Sequence, residues 1–351
     1  MDDVGLLLEL VNAYSPSGHE QDAVQAFVRA ATSLGFATEI DGAGNGIARI
    51  GSGRPQVLFL GHIDTVDGEI PVRVEDGRIY GRGTCDAKGA LATALLAAKD
   101  HAGSGEIVVV AAVGEEHDSR GARFLIPRQS PDSLIVGEPS GASGVTVAYK
   151  GNLDLVLTFE GERTHLSSPE PTAADRALEF VTRLRKFLDA LQGDSPFTSI
   201  TAKIYAMNTA RTDGRETAEV GVNFRLPPDV RTQHILTYLE DHGMAGKFRV
   251  VDRSESVEVD PKNPVVRALV AGIREVGERP TLRKKSGASD MNLAVPVWGC
   301  PAAAYGPGDA HLDHTDRESL PVEELRQGIR VLAGAFRRLC ADVSGLAPGS
   351  L

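Results

Sequence analysis

The sequence predicts an α/β protein in which a mixed, mostly parallel sheet is flanked by helices and a smaller α+β domain is inserted into the second half of the chain. Helix-periodic and strand-like segments alternate through the first 150 residues, strict two-residue alternation sets in near Gly151, and the layered pattern returns after Asp260. These changes of texture set the expected boundaries: a main domain of 1–150 and 260–351, and an insert of 151–259.

Val4, Leu7, Leu8 and Val11 fall on one stripe of a first helix, and Val24, Phe27, Val28, Ala31 and Leu34 on one stripe of a second. The short apolar runs at 56–60, 107–113 and 133–136 carry no polar face, so they read as strands buried on both sides. Between the first two lies 87–100, rich in Ala and Leu, with the composition of a helix that has Asp86 near its start. Gly42, Gly44 and Gly46 are explained by a turn between strands. In the insert, Leu153, Leu155, Leu157 and Phe159 alternate with Asp154, Val156 and Thr158, followed by a helix near 173–191 and strands at 199–206 and 218–226. A helix from Pro264, a short strand near 301–304 and a last helix carrying Val322, Leu325, Ile329, Leu332, Phe336 and Leu339 complete the pattern. Pro321 suits the first turn of that last helix, and the tail after Val343, with Ser, Gly and Pro, is expected to fray.

A chain of 351 residues is long enough for two domains and a large buried core. Its three cysteines, Cys85, Cys300 and Cys340, are too few and too scattered for a disulfide framework, which fits a reducing compartment. The first basic residue is Arg29, while Asp2, Asp3 and Glu9 surround the early apolar residues, the reverse of a secretory signal. A cytoplasmic protein is expected. No apolar run approaches the roughly 18 residues of a membrane span. With 37 Lys and Arg against 48 Asp and Glu, the formal charge of -11 disfavours nucleic acid and anionic membranes as partners. Carboxylates gathered around metal ions would account for part of that acidic excess.

Chemistry-bearing residues stand where the apolar strands stop. His62 and Asp64 follow the first run, and alternate residues there would project from one side at a strand's carboxyl end, the place where open α/β sheets put ligands. Glu115 and Glu116 follow the second run, where two adjacent carboxylates are costly to desolvate unless cations or donors meet them; a solvated turn is the plain alternative. Glu138 follows the third run. Asp86 lies in the glycine-rich stretch Tyr80 to Gly89, where an ordinary helix cap would also explain it. His311 and His314 come late, after Gly306-Pro307-Gly308-Asp309. Imidazoles and carboxylates in this mixture suit a pair of borderline divalent ions such as zinc, with one carboxylate left over as a general base. No Gly-x-Ser-x-Gly elbow, His-Glu-x-x-His helix or Walker-type loop competes with that reading.

Five separated motifs in this order resemble the acetylornithine deacetylase and succinyl-diaminopimelate desuccinylase family of di-metal hydrolases over nearly the whole chain. The resemblance implies two divalent metal ions, zinc or cobalt, in a catalytic domain of the zinc-exopeptidase kind. His62 and Glu138 would each hold an ion of one site, Asp86 would bridge, and Glu116 with His314 would complete the second site. His314 is preferred to His311 because the family's ligand histidine stands four residues before a glutamate, here Glu318. Asp64 would hold the His62 ring, a role with a physical rationale in fixing its tautomer, and Glu115 would be the general base. The insert would act as a lid that also dimerises, with His165 reaching the partner's site to steady an oxyanion. Asn223 and Arg225 would grip a substrate carboxylate. The stretch around Ser286, Gly287, Ser289 and Asp290 resembles the family's substrate loop, though a helix-capping turn has the same composition. Cys85 reads as a small buried residue rather than an extra soft ligand.

Within that family, the strings Asp118 to Arg123, Gly137 to Gly141, Tyr149 to Gly151, His165 to Glu170 and Leu312 to Thr315 are most similar to members that release lysine, or ornithine, from the C-terminal glutamate of a small acidic amino-group carrier protein. Arg283-Lys284-Lys285 offers such an acidic partner a local basic run. The rival activities are deacetylation of acetylornithine or acetyl-lysine, and cleavage as a dipeptidase or carboxypeptidase. A metal-free binding protein on this fold would be expected to have lost Glu115 or a ligand, and none is missing.

Overall fold

The computed structural model describes residues 2–244 and 247–341; the tail after Val343 lies outside them. In chain order the elements are helices α1 (Asp3–Asn12) and α2 (Gln21–Ser33), strands β1 (Ala37–Ile40), β2 (Gly46–Ser52), β3 (Gln56–His62), β4 (Arg73–Glu75) and β5 (Arg78–Tyr80), helix α3 (Lys88–Ala98), strand β6 (Gly105–Ala112), helix α4 (Arg120–Leu125) and strands β7 (Ser133–Gly137), β8 (Gly144–Tyr149) and β9 (Gly151–Glu162). Then come α5 (Ala173–Ala190), β10 (Thr201–Thr212), β11 (Arg215–Leu226), α6 (Thr232–Asp241), β12 (Lys247–Ser254), β13 (Val257–Glu258), α7 (Pro264–Glu275), β14 (Thr281–Lys285), α8 (Met291–Trp298), β15 (Ala302–Ala304), β16 (Ser319–Pro321) and α9 (Val322–Ala341).

Two compact units divide the chain: Met1–Val147 with Val259–Arg283 and Ser289–Leu351 form the first, and Ala148–Glu258 with Lys284–Ala288 the second. In the first, the strand order β1-β2-β6-β3-β7-β15-β8 gives a mixed sheet. Its centre, β6-β3-β7-β15, is parallel, and the pairs toward both edges are antiparallel. Alternate residues of the central strands face opposite sides. Val57, Phe59, Val109, Ala111 and Ile135 join the core built by α1, α2, α3, α7 and α9, while Leu58, Leu60, Val108, Val110, Leu134 and Val136 are buried on the other side. Burial on both faces is why these strands read as unbroken apolar runs.

Local signals start the helices. Asn263 accepts from the backbone N–H of Val265 and Val266, with Pro264 in the first turn of α7, and Thr172 with Asp175 forms a capping box on α5. Pro321 departs from expectation, because it ends β16 and α9 opens one residue later. Its main-chain run is committed to the antiparallel pair with Arg78, and proline's missing N–H is harmless there. In the second unit, β10-β11-β9-β12 is an antiparallel sheet whose inward side chains, Leu153, Leu155, Leu157, Val220, Val222 and Phe224 among them, pack with Phe180 and Leu184 of α5 and Leu239 of α6.

Candidate metal centre

Parallel strands β3, β6 and β7 end side by side, and each delivers a candidate residue from its carboxyl end: His62 closes β3, Glu115 and Glu116 follow β6, and Glu138 follows β7. Gly61 makes room for this arrangement, since a Cβ there would lie 2.9 Å from Cδ2 of Leu91 on α3. Asp86 enters from the segment between β5 and α3, and His314 from the segment between β15 and β16. Asp86 is no helix cap. Helix α3 is flanked by Ala87 and has no side-chain cap, which leaves the Asp86 carboxylate free to face the histidines.

The two oxygens of that carboxylate face different rings. Oδ1 lies 3.0 Å from Nε2 of His62, and Oδ2 lies 3.2 Å from Nε2 of His314, which also stands 2.8 Å from Oε1 of Glu116. His62 is 2 % exposed, and its Nδ1 lies 2.9 Å from the backbone carbonyl of Asp64. A carbonyl can only accept, so Nδ1 carries a proton there, and Nε2, the nitrogen that faces Asp86, is the one available to a metal ion. The tautomer is therefore set by the main chain of Asp64. Oδ1 of the Asp64 carboxylate lies 3.7 Å from the same ring nitrogen, and the carboxylate also accepts from the N–H groups of Glu115 and Glu116, both at 3.0 Å, and from the Ser17 hydroxyl at 2.7 Å. It thus pins the turn that carries the two glutamates to the end of β3.

Among the described residues, three sets of donor atoms lie within 4.8 Å of one another: His62, Asp86 and Glu138; Asp86, Glu116 and His314; and His62, Glu115 and Glu116. The first two share Asp86 and leave Glu115 out. Electrostatics agree with a place for cations. Burial and the neighbouring carboxylates Glu138, Asp290 and Glu116 push Glu115 well up, and burial with the Asp86 charge pushes Glu116 up. His62 is raised well above the usual imidazole range because Asp86, Glu115 and Asp64 together outweigh its burial, and the Asp86 and Glu116 bonds carry His314 to about 10. Burial would raise Asp86 too, but the two histidines hold it well below the carboxylate range. A cluster this rich in negative charge and imidazole fits a pair of borderline divalent cations sharing Asp86.

The remaining expected residues lie outside the three sets. His311 is exposed, bonded to Asp309 at 2.9 Å, and belongs to none of the three sets; nor does Cys85, which is buried with its thiol 3.3 Å from the Ser319 carbonyl. Asp290 is buried, and its carboxyl is pushed to about 7 by burial, against the pull of Ser119 and His62. Ser289 is buried in a capping arrangement: its N–H donates to Asn292 and its hydroxyl accepts from the Met291 N–H at the start of α8. Ser286 and Gly287 are exposed and fall in the second unit. There His165 is exposed with Nδ1 2.7 Å from the Ser167 hydroxyl, Asn223 donates to Asn152 at 2.8 Å, and Arg225 adds to the burial that lowers Lys150 to about 8.

Sequence reasoning missed the supports. Asn45 accepts from the Val113 N–H and donates to the Gly121 carbonyl, tying the end of β6 to α4. Lys88 is fully buried and donates to the carbonyls of Leu10 and Ala13. Arg82 and Glu318 pair at 3.0 Å behind Asp86. Glycine-rich surroundings marked Arg82 and Lys88 as lying near something important, but nothing local named their partners.

With this geometry in place, comparison with known proteins is informative. A protein of Thermococcus kodakarensis named as a candidate LysW-lysine/LysW-ornithine hydrolase is 39% identical over 343 residues, covering 96% of this chain and 92% of its own. A protein of Deinococcus radiodurans named LysW-lysine hydrolase is 34% identical over 348 residues, covering 95% and 96%. Among solved structures, a tripeptidase of Staphylococcus aureus superposes with a TM-score of 0.78 at 20% identity, covering 97% of this chain and 98% of its own. An M20 family metallo-carboxypeptidase of Sulfolobus solfataricus gives 0.76 at 18%, covering 97% and 100%. The family model described as peptidase family M20/M25/M40 matches residues 58–338, and the chain belongs to that family.

Proposed function

We propose that the protein is a metal-dependent amide hydrolase that frees lysine, or ornithine, from the C-terminal glutamate side chain of a small acidic amino-group carrier protein in amino-acid biosynthesis. Near-full-length identity to relatives named for that reaction supports the substrate. The single observation behind the chemistry is the Asp86 carboxylate, whose two oxygens each face a different histidine.

In this reading His62, Glu138 and Asp86 would hold one divalent ion, and Asp86, Glu116 and His314 would hold the other, zinc or cobalt in both places. When bound, the ions would supply an acidified water and positive charge to offset the charge that develops on the substrate carbonyl oxygen. Glu115 takes the proton from the attacking water and returns it to the leaving nitrogen, so that the C–N bond breaks to give a glutamate carboxylate and a free amino group. Asp64 holds Glu115 in place through its backbone N–H. His165 steadies the developing oxyanion from the lid of a partner subunit, Asn223 and Arg225 receive the amino acid's carboxylate, and Ser286, Gly287, Ser289 and Asp290 form the substrate loop. The second unit is both lid and dimerisation domain. The enzyme acts in the cytoplasm; none of the described helices is long and apolar enough to cross a membrane.

The deciding experiment compares release of lysine and ornithine from carrier-protein conjugates with release from acetyl and succinyl derivatives. Faster turnover of the conjugates is expected. Equal or better rates on acetylornithine would move the protein to the deacetylases, and preference for dipeptides to the peptidases.

A further inference from the structure

Behind the candidate centre lies an ion pair that touches neither His62 nor Glu116 and has no part in the proposed chemistry. Glu318 is 1 % exposed, and its Oε1 accepts from the backbone N–H of Cys85 at 3.0 Å and of Asp86 at 3.2 Å. Its Oε2 lies 3.0 Å from Nη1 of Arg82. Arg82 is itself buried, and the same guanidinium donates to the carbonyl of Gly68 at 2.9 Å and to that of Thr315 at 3.0 Å. One end of the pair therefore grips the main chain of Asp86, and the other grips the residue after His314.

His314 needs such a grip. Its φ of 61° is left-handed, a conformation that costs a non-glycine residue on the order of 1 kcal/mol or more and survives where surrounding contacts over-determine it. The side chain is also half exposed, so packing alone does not fix the ring. Thr315 supplies two contacts within the loop, its N–H and hydroxyl both donating to the Leu312 carbonyl. Beside the direct contact of His314 with Asp86, a link from the loop to the Asp86 segment runs through Arg82 and Glu318. A planar guanidinium with fixed donor directions can hold a carboxylate and two carbonyls at once, which a lysine ammonium on a flexible stem does poorly.

We propose that Arg82 and Glu318 act as one positioning device that sets the spacing between the Asp86 carboxylate and the His314 ring, and so the affinity of the ion those two residues share. Partners that orient ligands are worth about 10- to 100-fold in metal affinity. This rests on the two-ion reading above. The test is a titration of chelator-stripped protein with Co2+ against a competing chromophoric chelator, reading stoichiometry, the two dissociation constants and the visible absorption of the bound ion, for the wild type, Arg82→Lys and Glu318→Gln. Circular dichroism of each metal-free variant establishes that it is folded.

The wild type is expected to take up two ions. In both variants one of the two ions should bind about tenfold or more less tightly with an altered cobalt spectrum, while the other changes less. Arg82→Lys keeps the charge and is the milder variant should Glu318→Gln fail to fold. Folded variants that bind both ions with wild-type constants and spectra would overturn the positioning role and leave the pair a purely structural contact. A wild type that binds no pair of ions would instead remove the two-ion reading, and this inference with it.

Discussion

Glu115 and Glu116 are neighbours in sequence, yet their surroundings separate them. The Glu116 carboxylate lies 2.8 Å from the His314 ring in a set with Asp86, whereas Glu115 is the member left out of the two sets that share Asp86. Replacing Glu115 with Gln should lower turnover by about 10²- to 10⁴-fold, the usual worth of a general base, with two metal ions per chain still found by elemental analysis. Loss of an ion in that variant would exchange the roles of the two glutamates. The histidines separate in the same way: His314→Ala should lose one of the two ions and His311→Ala should keep both, because His311 is bonded to Asp309 and exposed. The reverse stoichiometry would make His311 the ligand.

At the scale of elements, the glutamate turn depends on how α4 meets the end of β6. Gly121 lies in the first turn of α4 against the end of that strand, and a Cβ there would stand 2.6 Å from the backbone nitrogen and 2.7 Å from the carbonyl oxygen of Val113. Neither is a flexible side-chain end that can swing aside. Gly121→Ala should therefore destabilise the protein by about 1–3 kcal/mol, the cost of overpacking a filled contact, read as a lower urea midpoint. The same shift should reach Asn45, which bonds both Val113 and Gly121, so turnover is expected to fall along with stability. Unchanged stability in Gly121→Ala would mean that α4 is free to move away from the strand.

For the molecule as a whole, metal binding and folding should be coupled. Candidate ligands drawn from β3, from the ends of β6 and β7, and from two long connections converge only in the folded chain, so ions that bind there would stabilise it by mass action, about 2.7 kcal/mol at a hundredfold excess over Kd. Chelation should abolish hydrolysis and lower the thermal midpoint. Zinc or cobalt should restore both, with the midpoint rising as the ion concentration rises. Full turnover in metal-free protein would refute the mechanism.

The order of elements was legible because its causes are local: an apolar run without a polar face is a strand buried on both sides, and β3, β6 and β7 appear where those runs stand. So too were the residue types at the strand ends, since His62, Glu115, Glu116 and Glu138 immediately follow the runs in sequence. Asp64 shows where such reading stops. Its spacing from His62 suggests a carboxylate near the ring, and it lies 3.7 Å away, but nothing in the spacing shows that the Asp64 carbonyl is closer to the ring or that the carboxylate accepts from the N–H groups of the turn after β6. Glu318 was visible only as a landmark for His314. Its bonds to Cys85, Asp86 and Arg82 join segments more than two hundred residues apart, and no periodicity records such a meeting.

By itself, then, the amino-acid order determined the α/β architecture and the kind of chemistry, because periodicity and residue type act over a few neighbouring positions. Only the tertiary structure decided which oxygen of Asp86 faces which histidine, which glutamate stands apart, and what braces them, because those are distances between segments that meet only once the sheet has formed.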